Sequence, residues 1–542
     1  MTFWWHRAAG LACAGSLRRF GLITTNSIRQ QFGRRVIQNH LEAASPLSLI
    51  YAIPDHPWVD DSAGADVRIA MTVGVAGRAE GVLERIVREE EKTEGGSRVT
   101  LTRLRGLINA DLTVGVDVTK AVPLQANQGL SCPGVKLHGS GFIVTPQEAD
   151  ALGLGRISGL ERHIRPYLNG RDLNQRSRGL MVIDLFGLSV DHVQSRFPEV
   201  YQWVLNRVKP EREAKAAGGT RDSIQYARQW WLFGKTRNEF RPALSGLERY
   251  TATTETSRHR FFVFLGASIL SDNKLITIAL DDGFYLGVLS NGLHVAYSVA
   301  TGGWLGVGND SIYVKTRCFE TFPFPACAEA HKERIRAFAE SLDNHRKRQQ
   351  SLFSALSITD MYNVIAKIRS EEPLNSKDKL VHEQGIVSVL KQLHDDLDAA
   401  VFDAYGWPLT LTDDEILNRL VELNRERAEE EKRGIIRWLR PEYQNPDGAQ
   451  AASTTQGALA IEPEAPEATA AAAGAKRPWP KALPEQAQAV RAVLAEQPTG
   501  LTPEQLARLF LRANTQRVTD MLNTLVSLGQ ARMLEGDRYV PT

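Results

Sequence analysis

The sequence predicts a multidomain chain of the α/β and α+β classes: a partial Rossmann-like sheet, a mixed α/β block, a helical region and a small winged helix. Near the start, strand-like apolar runs alternate with helix-like segments, which favours a parallel sheet with helical cover. Near the end, residues 446–478 are rich in Ala, Pro, Glu, Ser and Thr, a composition typical of a disordered linker. A length of 542 residues leaves room for three or four domains.

Residues 1–77 contain the elements of the predicted sheet. An amphipathic helix precedes a strand from Phe20 to Ser27, and a second helix leads to strands at Leu47 to Ile53 and Val67 to Gly74. A sheet of this kind is expected to begin with a strand and a Gly-rich turn that binds a phosphate or a cofactor. This chain begins within a helix, so we expect the chemistry to lie on residues that it does not contain.

The rest of the chain divides by composition and hydrophobic period. Apolar residues at three- and four-residue spacing predict amphipathic helices after residue 328. In the last segment, Thr502 and Gln505 form a capping-box pattern and Gly536 lies at the turn of a predicted two-stranded wing. The predicted segments are a connector at 78–135 with a charged helix from Glu80 to Glu94, a mixed block at 136–327, a helical region at 328–445, the linker, and a winged helix at 479–542.

Charge and cysteine usage limit the class of protein. The net charge is only +2, but residues 1–50 carry six Arg against one Glu, and residues 156–260 carry 19 Lys plus Arg against 11 Asp plus Glu. No apolar run approaches the roughly 20 residues of a membrane span, so no membrane partner is expected. The four cysteines suit no common zinc pattern and predict buried free thiols in a reducing bacterial cytoplasm.

Several long segments carry a resemblance to a known family. FGLITTNSIRQQFGRRV and IPDHPWVDDSAGADVRIAMTVG look like the late strands of a methyltransferase domain. RHIRPYLNGRDLNQ, MVIDLFGLS, RFPEVYQWVLNRVKPERE, RQWWLFG, YTATTETSRHRFFVF and VGNDSIYVKTRCFETFPFP look like a target-recognition domain. HDDLDAAVFDAYGWP and LNRERAEEEKRGIIRWLRPEYQ look like a helical C-terminal region. Over roughly residues 3–446 the chain resembles the C-terminal portion of the MmeI-like adenine-specific DNA methyltransferases of restriction–modification systems.

The resemblance implies a cofactor and a catalytic motif that this sequence lacks. Members of the family bind S-adenosylmethionine on an early Gly-containing turn and catalyse with an Asn-Pro-Pro-aromatic tetrapeptide, and neither motif occurs here. The resemblance therefore implies an upstream polypeptide that carries the N-terminal half of the methyltransferase domain. S-adenosylmethionine binding by this chain alone is not expected, no catalytic or metal-binding residue is assigned, and whether the chain is itself an enzyme is left open. A smaller departure is the turn Ser290-Asn291-Gly292-Leu293-His294, where the family tends to have an arginine before the histidine.

Adenine methylation needs the target base out of the duplex, where an aromatic side chain can cover its exposed face. Trp58 matches the place of such an aromatic residue in this fold class, and the alternative is that it packs its loop onto the sheet. Asn26 and Ser27 end the first strand and are candidates to line the pocket, the alternative for Ser27 being a helix cap.

The basic block suits phosphate contacts with double-stranded DNA, and polar residues near its predicted turns are candidates to read bases. For any single residue the alternative is a solvated or ion-paired surface side chain. The candidates are Arg162, Arg165, Arg171, Arg176, Arg178, Lys209, Arg212, Lys235, Arg237, Arg258, His259, Arg260, Asn273, Lys274, Asn291, His294 and Asn309.

Other chemistry-bearing residues favour a structural role. Trp230 and Trp231 are predicted to lie in the core. The carboxylates of Asp395, Asp396 and Asp398 are predicted to face solvent or to pair with RWLRPEYQ within the chain. The winged helix carries nearly balanced charge, so it is as well suited to docking a protein as to binding DNA.

Three hypotheses follow for the function. The first is the DNA-recognition portion of a site-specific adenine-N6 DNA methyltransferase, active with the upstream polypeptide. The second is a non-catalytic, sequence-specific DNA-binding subunit or adaptor of a restriction or phage-defence system. The third is a decayed fragment.

Overall fold

The computed structural model divides the chain into two compact units, Met1–Thr455 and Gln456–Thr542. In the first unit it describes residues 2–29, 31–58, 67–91, 97–305 and 310–446. In the second unit it describes residues 477–479, 486, 489–490, 493–494, 501–511, 514–515, 517–519, 522, 525, 531–534 and 538–541. The predicted linker therefore lies almost wholly outside the described residues.

The first unit opens with a five-stranded sheet and two helices. The sheet has the strand order β1-β3-β2-β4-β5. Trp5 of the first helix is fully buried, and its Nε1 donates to Thr72 Oγ1 at 3.1 Å, which fixes that helix on the sheet. The elements are α1 (Thr2–Cys13), β1 (Phe20–Thr25), α2 (Gln31–Leu41), β2 (Leu47–Pro57), β3 (Arg68–Ala76), β4 (Gly81–Glu91) and β5 (Ser97–Gly106).

The expectation of a purely parallel sheet is wrong. β3 lies between β1 and β2 and is antiparallel to both, while β2 and β4 are parallel. Between the end of β2 at Pro57 and the start of β3 at Arg68 there is too little chain for the crossover that a parallel neighbour needs. The two strands consequently pair as neighbours of opposite direction.

The predicted charged helix from Glu80 to Glu94 is also wrong, because Gly81–Glu91 form strand β4. β4 pairs with β5 over ten residue pairs, from Gly81↔Gly106 to Glu91↔Ser97. The side chain of Glu84 is buried and accepts hydrogen bonds from Tyr51 Oη at 2.6 Å and Arg103 Nε at 2.6 Å. Part of the predicted connector thus extends the first sheet.

The mixed block contains three small sheets, with strand orders β12-β10-β14-β6, β13-β8-β9-β7 and β11-β16-β15. The pairing of β8 with β13 is parallel and the other pairings are antiparallel. The strands are β6 (Ser131–Pro133), β7 (Ile143–Val144), β8 (Ile164–Leu168), β9 (Met181–Ile183), β10 (Arg249–Thr254), β11 (Thr256–Ser257), β12 (Val263–Gly266), β13 (Leu270–Ser271), β14 (Leu275–Ile278), β15 (Gly303–Leu305) and β16 (Asp310–Ile312). The helices are α3 (Pro146–Ala151), α4 (Gly170–Asn174), α5 (Val190–Arg196), α6 (Pro198–Arg207), α7 (Lys209–Ala216), α8 (Arg221–Arg228), α9 (Arg241–Leu244), α10 (Gly283–Ser290), α11 (Gly292–Thr301) and α12 (Lys315–Cys318).

The helical region follows, and it shares one hydrophobic core with the strands of the block. Its helices α13 and α16 pack on α10, so that Leu286, Ala339 and Leu397 lie in the same buried cluster. Asn424 ties the region to the chain before the block, donating to the carbonyls of Val122 at 2.8 Å and Thr321 at 2.7 Å. The helices are α13 (Glu329–Leu352), α14 (Ile358–Arg369), α15 (Ser376–Gly385), α16 (Val387–Tyr405), α17 (Asp413–Lys432) and α18 (Pro441–Gln444).

The second unit contains the predicted capping box and an antiparallel pair of strands at the place of the predicted wing. Thr502 Oγ1 accepts from Gln505 N at 3.3 Å, and the Gln505 side chain accepts from Thr502 N at 3.1 Å. The other two helices expected in the winged helix lie largely outside the described residues. The described elements are β17 (Arg477–Pro478), α19 (Pro503–Arg508), β18 (Phe510–Leu511), β19 (Ala531–Leu534) and β20 (Arg538–Pro541), the last two paired antiparallel.

Two general features complete the fold. Within the described ranges, no helix is both long enough and apolar enough to cross a membrane. All four cysteines are free thiols, but only Cys318 is fully buried, so the expectation of four buried thiols is wrong for the other three.

Candidate nucleic-acid interface

The carboxyl ends of β1 and β2 lie together and carry the predicted pocket residues. Asn26 begins a 3-10 turn directly after β1, and its Nδ2 donates to Asp55 Oδ1 at 2.9 Å. Ser27 is exposed, and its Oγ lies 2.6 Å from Thr25 Oγ1. Trp58 follows β2 with 51% of its surface exposed, so about half of the residue can be reached from solvent.

A buried ion-pair network lies behind these residues and was missed by sequence reasoning. Arg68, the first residue of β3, donates from Nε to Asp55 Oδ2 at 2.7 Å and from Nη1 to Glu89 Oε2 at 2.9 Å. Burial alone would lower the pKa of the Arg68 guanidinium, but the hydrogen bonds from the two carboxylates raise it overall. The available signal was an arginine at the start of an otherwise apolar strand, because a buried arginine needs a carboxylate partner.

The turn after β1 does not fit the cofactor of the family. It contains no glycine, and the side-chain amide of Asn26 is already bonded to Asp55. A nucleotide-binding turn needs backbone that can approach the ligand closely. We therefore derive no step through S-adenosylmethionine from these residues. Among the described residues, no group of three potential metal ligands is found.

Four of the candidate arginines are exposed and pair with no carboxylate among the described residues. The nearest side-chain partner of one of them is neutral: Arg171 Nε donates to Gln175 Oε1 at 3.1 Å. Their charges are thus available to an external anion. We call them the open arginines: Arg162, Arg171, Arg176 and Arg258.

Four other candidates are paired with carboxylates of the protein. Arg178 binds Asp172 through two hydrogen bonds of 2.8 Å, and Lys274 Nζ lies 2.7 Å from Glu255 Oε2. Looser pairs of 3.9 Å join Lys209 to Glu213 and Lys235 to Asp222. A phosphate would have to compete with these carboxylates, so we expect weaker contributions from this group.

The remaining basic candidates donate hydrogen bonds to backbone carbonyls of the protein. The buried ones cannot contact DNA in this conformation. Arg212 donates to the carbonyls of Leu137, His138, Tyr226 and Gln229, and burial lowers its pKa to about 10. Arg165 donates to backbone carbonyls of Ala267, Ser268 and Ile269. Arg237 donates to the Gly134 carbonyl at 2.9 Å.

A second internal cluster surrounds Arg260 and His294. Arg260 is 6% exposed and donates to Thr254 O and to Ser311 O, and burial lowers its pKa to about 10. His294 is fully buried, and its Nε2 lies 3.0 Å from Tyr313 Oη. Burial, with the charge of Arg260, lowers the pKa of His294 to about 3, so the ring is neutral. Neither residue reaches solvent.

The other polar candidates also divide into residues bonded within the protein and residues open to solvent. His259 Nε2 contacts Asn363 Oδ1 at 2.8 Å, and burial lowers the pKa of the imidazole. Asn291 is fully buried and its Oδ1 caps α11 by accepting from His294 N at 3.1 Å. Asn273 is partly exposed in the turn between β13 and β14. Asn309 lies outside the described residues.

Several candidates from distant parts of the sequence meet around α4. The backbone N–H of Asp272 donates to Leu168 O at 2.8 Å, and that of Glu255 donates to Lys274 O at 2.8 Å. These bonds hold the turn 272–274 beside the start of α4. The result is one surface that carries Arg171, Asn273, Lys274 and Glu255, with Arg258 three residues further along the chain. Glu255 was not among the sequence candidates.

The residues predicted to be structural are so. Trp230 is 8% exposed, and Trp231 Nε1 donates to Leu188 O at 2.9 Å. The acidic residues of α16 pair within the chain, but not with RWLRPEYQ as expected: Asp395 bonds Lys391 at 2.5 Å and Arg369 at 2.9 Å.

Comparison with known proteins adds a likeness of fold. No family model matches the chain, and no curated protein matches it. Among solved structures, it is similar to the type IIL restriction-modification enzyme MmeI in complex with DNA, with a TM-score of 0.61 and 18% identity, covering 79% of this chain and 52% of that chain. A match to the type IIG restriction endonuclease BpuSI has 10% identity, covers 72% of this chain and 47% of that chain, and with a TM-score of 0.26 carries no argument.

The chain thus has a fold like that of a restriction–modification enzyme, as its resemblance to the MmeI-like family implies. It spans about half the length of the MmeI chain that it matches. At this identity the likeness concerns the fold alone, and the methyltransferase activity stays a prediction.

Proposed function

We propose that this chain is the DNA-recognition portion of a site-specific adenine-N6 DNA methyltransferase of a restriction–modification system. An upstream polypeptide would supply the S-adenosylmethionine-binding turn and the catalytic tetrapeptide. The proposed site of action is the bacterial cytoplasm, where the DNA substrate and reduced thiols are found together. The observation that carries the proposal is the MmeI-like fold, combined with a surface of arginines that no carboxylate among the described residues neutralises.

DNA binding is supported by the charge of the surface around α4. Arginines fix a protein on DNA through phosphates, whereas sequence is read by side chains that reach base edges. Asn273 offers a donor and an acceptor to base edges, and Lys274 and Glu255 would do so only by giving up their mutual hydrogen bond of 2.7 Å. This arrangement places backbone-binding and base-reading groups on one surface.

Fluorescence anisotropy with the purified chain tests DNA binding. We expect the chain to select a short duplex sequence from a random pool and to bind it more tightly than a scrambled duplex at the same salt concentration. Binding that shows no preference among sequences would contradict a recognition role.

The upstream polypeptide is supported by the first sheet. Among the described strands, β1 lies at an edge of the sheet, pairing only with β3. The unit also exposes large apolar side chains: Phe3 is 64%, Trp4 68%, Ile23 56% and Phe32 75% exposed. An unpaired edge strand with exposed apolar neighbours is a site for association through strand pairing and hydrophobic burial. We propose that the upstream polypeptide adds to the sheet along β1.

The test is copurification with the product of the adjacent upstream reading frame. We expect Ile23→Arg to abolish copurification, whereas Ile224→Arg, at an exposed apolar position on α8, leaves it intact. Methyl transfer to the selected duplex is expected from the pair and not from the chain alone. Robust methylation by the chain alone would overturn the division of labour.

The second candidate function is the non-catalytic adaptor. It requires only the surface of open arginines for DNA binding, and no cofactor site. Sequence-selective binding without methylation, even with the upstream product added, would establish the adaptor and refute the methyltransferase.

A further inference from the structure

The strand ends that carry Trp58 and Asn26 are held by one carboxylate. Asp55 Oδ1 accepts from Asn26 at the end of β1, and Asp55 Oδ2 accepts from Arg68 at the start of β3. Arg68 in turn reaches Glu89 of β4. Residues from four strands are therefore linked through two neighbouring side chains, Asp55 and Arg68.

The same network fixes the backbone of Trp58. Trp58 N donates to Val67 O at 2.9 Å, and Val67 precedes Arg68 in the chain. At this end of the β2–β3 ladder, where His56 pairs with Ile69 and Pro57 with Arg68, two further links hold the strands together: this backbone bond and the Asp55–Arg68 ion pair at 2.7 Å. The backbone of Trp58 is thus held, and half of the residue's surface is open to solvent.

The network is strongly dependent on the charge of Asp55. Arg68 is 7% exposed, and a buried guanidinium that loses one of its two carboxylates is left partly uncompensated. Relaxation of Arg68 would move the start of β3 and hence Val67, which holds Trp58. Loss of the Asp55 carboxylate is thus expected to change the position of Trp58, although no hydrogen bond between the two side chains is seen among the described residues.

We propose that Asp55 is a positioning residue that holds Trp58 and Asn26 in a fixed relation at the ends of β1 and β2, so that the indole can stack on an unpaired nucleobase. The proposal rests on the proposed function in its choice of ligand. It concerns the orientation of Trp58 and adds no chemical step. Stacking of one base on an aromatic side chain contributes about 1–3 kcal/mol, which corresponds to about 5- to 150-fold in affinity.

The orientation is tested by ¹⁹F NMR of the full chain labelled with 5-fluorotryptophan. The chain has ten tryptophans, and the Trp58 line is assigned by its absence in Trp58→Phe. Asp55→Asn is expected to shift or broaden the Trp58 line and leave the other nine in place. The matched control is Glu84→Gln, which changes a buried carboxylate of the same sheet that does not contact the Asp55 network. It should leave the Trp58 line unchanged.

Arg68→Lys is the second variant, in case Asp55→Asn disorders the sheet, which would show as movement of many lines. Lysine keeps the charge but cannot reproduce the planar guanidinium that donates to Asp55 and Glu89 together. The Trp58 line should therefore move while the other lines stay in place. An unmoved Trp58 line in both folded variants would overturn the proposal, as would loss of the whole sheet in both.

Base stacking is measured separately, by titrating the chain with a single-stranded oligonucleotide that contains 2-aminopurine. The apparent affinity is obtained from the quenching of this base. Trp58→Ala is expected to lower that affinity by about 5- to 150-fold, and Asp55→Asn by a smaller factor. Glu84→Gln is expected to bind as tightly as the parent. If Trp58→Ala has no effect, the stacking role fails whatever the ¹⁹F result. If Trp58→Ala weakens binding but Asp55→Asn does not, the stacking role stands and the positioning role of Asp55 is refuted.

Discussion

The carboxyl of Asp398 gives a prediction whose magnitude follows from the structure. Asp398 lies on α16, and its Oδ1 accepts from Gly292 N, the first residue of α11, at 2.7 Å. Burial raises the pKa of this carboxyl from 3.8 to about 6, and the Gly292 hydrogen bond only partly opposes that effect. The neighbouring charged groups are Arg369 and Asp395. The folded protein therefore binds the Asp398 proton more tightly than the unfolded chain does.

A raised carboxyl pKa means that stability is present below pH 3.8 and is lost as the pH rises through about 6. With these two pKa values, ionisation of Asp398 lowers the free energy of unfolding by about 2 kcal/mol at pH 5 and about 3 kcal/mol at pH 7. Asparagine resembles the protonated acid and keeps an oxygen that can accept from Gly292 N. Asp398→Asn is therefore expected to be more stable than the parent at pH 7, by an amount that shrinks toward zero near pH 4.

The assay is urea unfolding of the full chain at several pH values, followed by hydrogen-exchange mass spectrometry on peptides from α11 and α16. Asp395→Asn is a control of opposite sign. Burial raises the pKa of Asp395, but the hydrogen bonds from Lys391 and Arg369 lower it overall, so its neutralisation should destabilise the protein most at neutral pH. A difference between Asp398→Asn and the parent that stays constant from pH 4.5 to 7.5 would refute the reasoning.

Three further outcomes are expected. Each replacement of one open arginine by serine should reduce the magnitude of the slope of log binding constant against log salt concentration by about 0.9, as measured by anisotropy. The control Lys379→Ser on α15 should leave this slope unchanged. Unchanged slopes in the arginine variants would show that these residues are not in the interface. Burial lowers the pKa of His394 to about 3, so the free energy of unfolding should fall as the pH falls from 6.5 toward 3. His394→Gln should make the free energy of unfolding, measured in urea, less dependent on pH over this range. An equally steep dependence in the variant would contradict a buried neutral ring. Asn424→Ala should cost about 1–3 kcal/mol, because it leaves the backbone N–H and carbonyl of Val122 and the carbonyl of Thr321 without this partner. A change below about 0.5 kcal/mol in urea unfolding, where surface substitutions usually fall, would show that water replaces Asn424.

The fold could be predicted where the signal is local. The strand at Phe20 and the capping box at Thr502 lie where the sequence places them, because apolar runs and caps depend on neighbouring residues. β4 could not be recognised in the same way. Its glutamates and arginines are typical of a helix surface, and only pairing with β2 and β5, together with the partners of Glu84, makes the strand the more stable choice.

The candidate site shows the same limit at the level of single side chains. Arg258 and Arg260 are separated by one residue, yet the first is exposed and the second is buried among backbone carbonyls. Composition identified the basic block, but the direction of each side chain depends on tertiary contacts such as those of Arg260 with Ser311. The Asp55–Arg68 pair likewise joins residues whose meeting depends on the antiparallel course of β3.

The insertion of β3 between β1 and β2 has a consequence for synthesis of the protein. β1 is made first, but its partner in the sheet is β3, which ends at Ala76. A nascent chain therefore emerges from the ribosome with α1 and β1 unable to complete their pairing until some fifty further residues have been added. During that interval both edges of β1 are open to other strands, a state prone to misassembly. A companion polypeptide already present in the cell would meet this edge before the chain's own sheet closes, so the order of translation could favour assembly of the two.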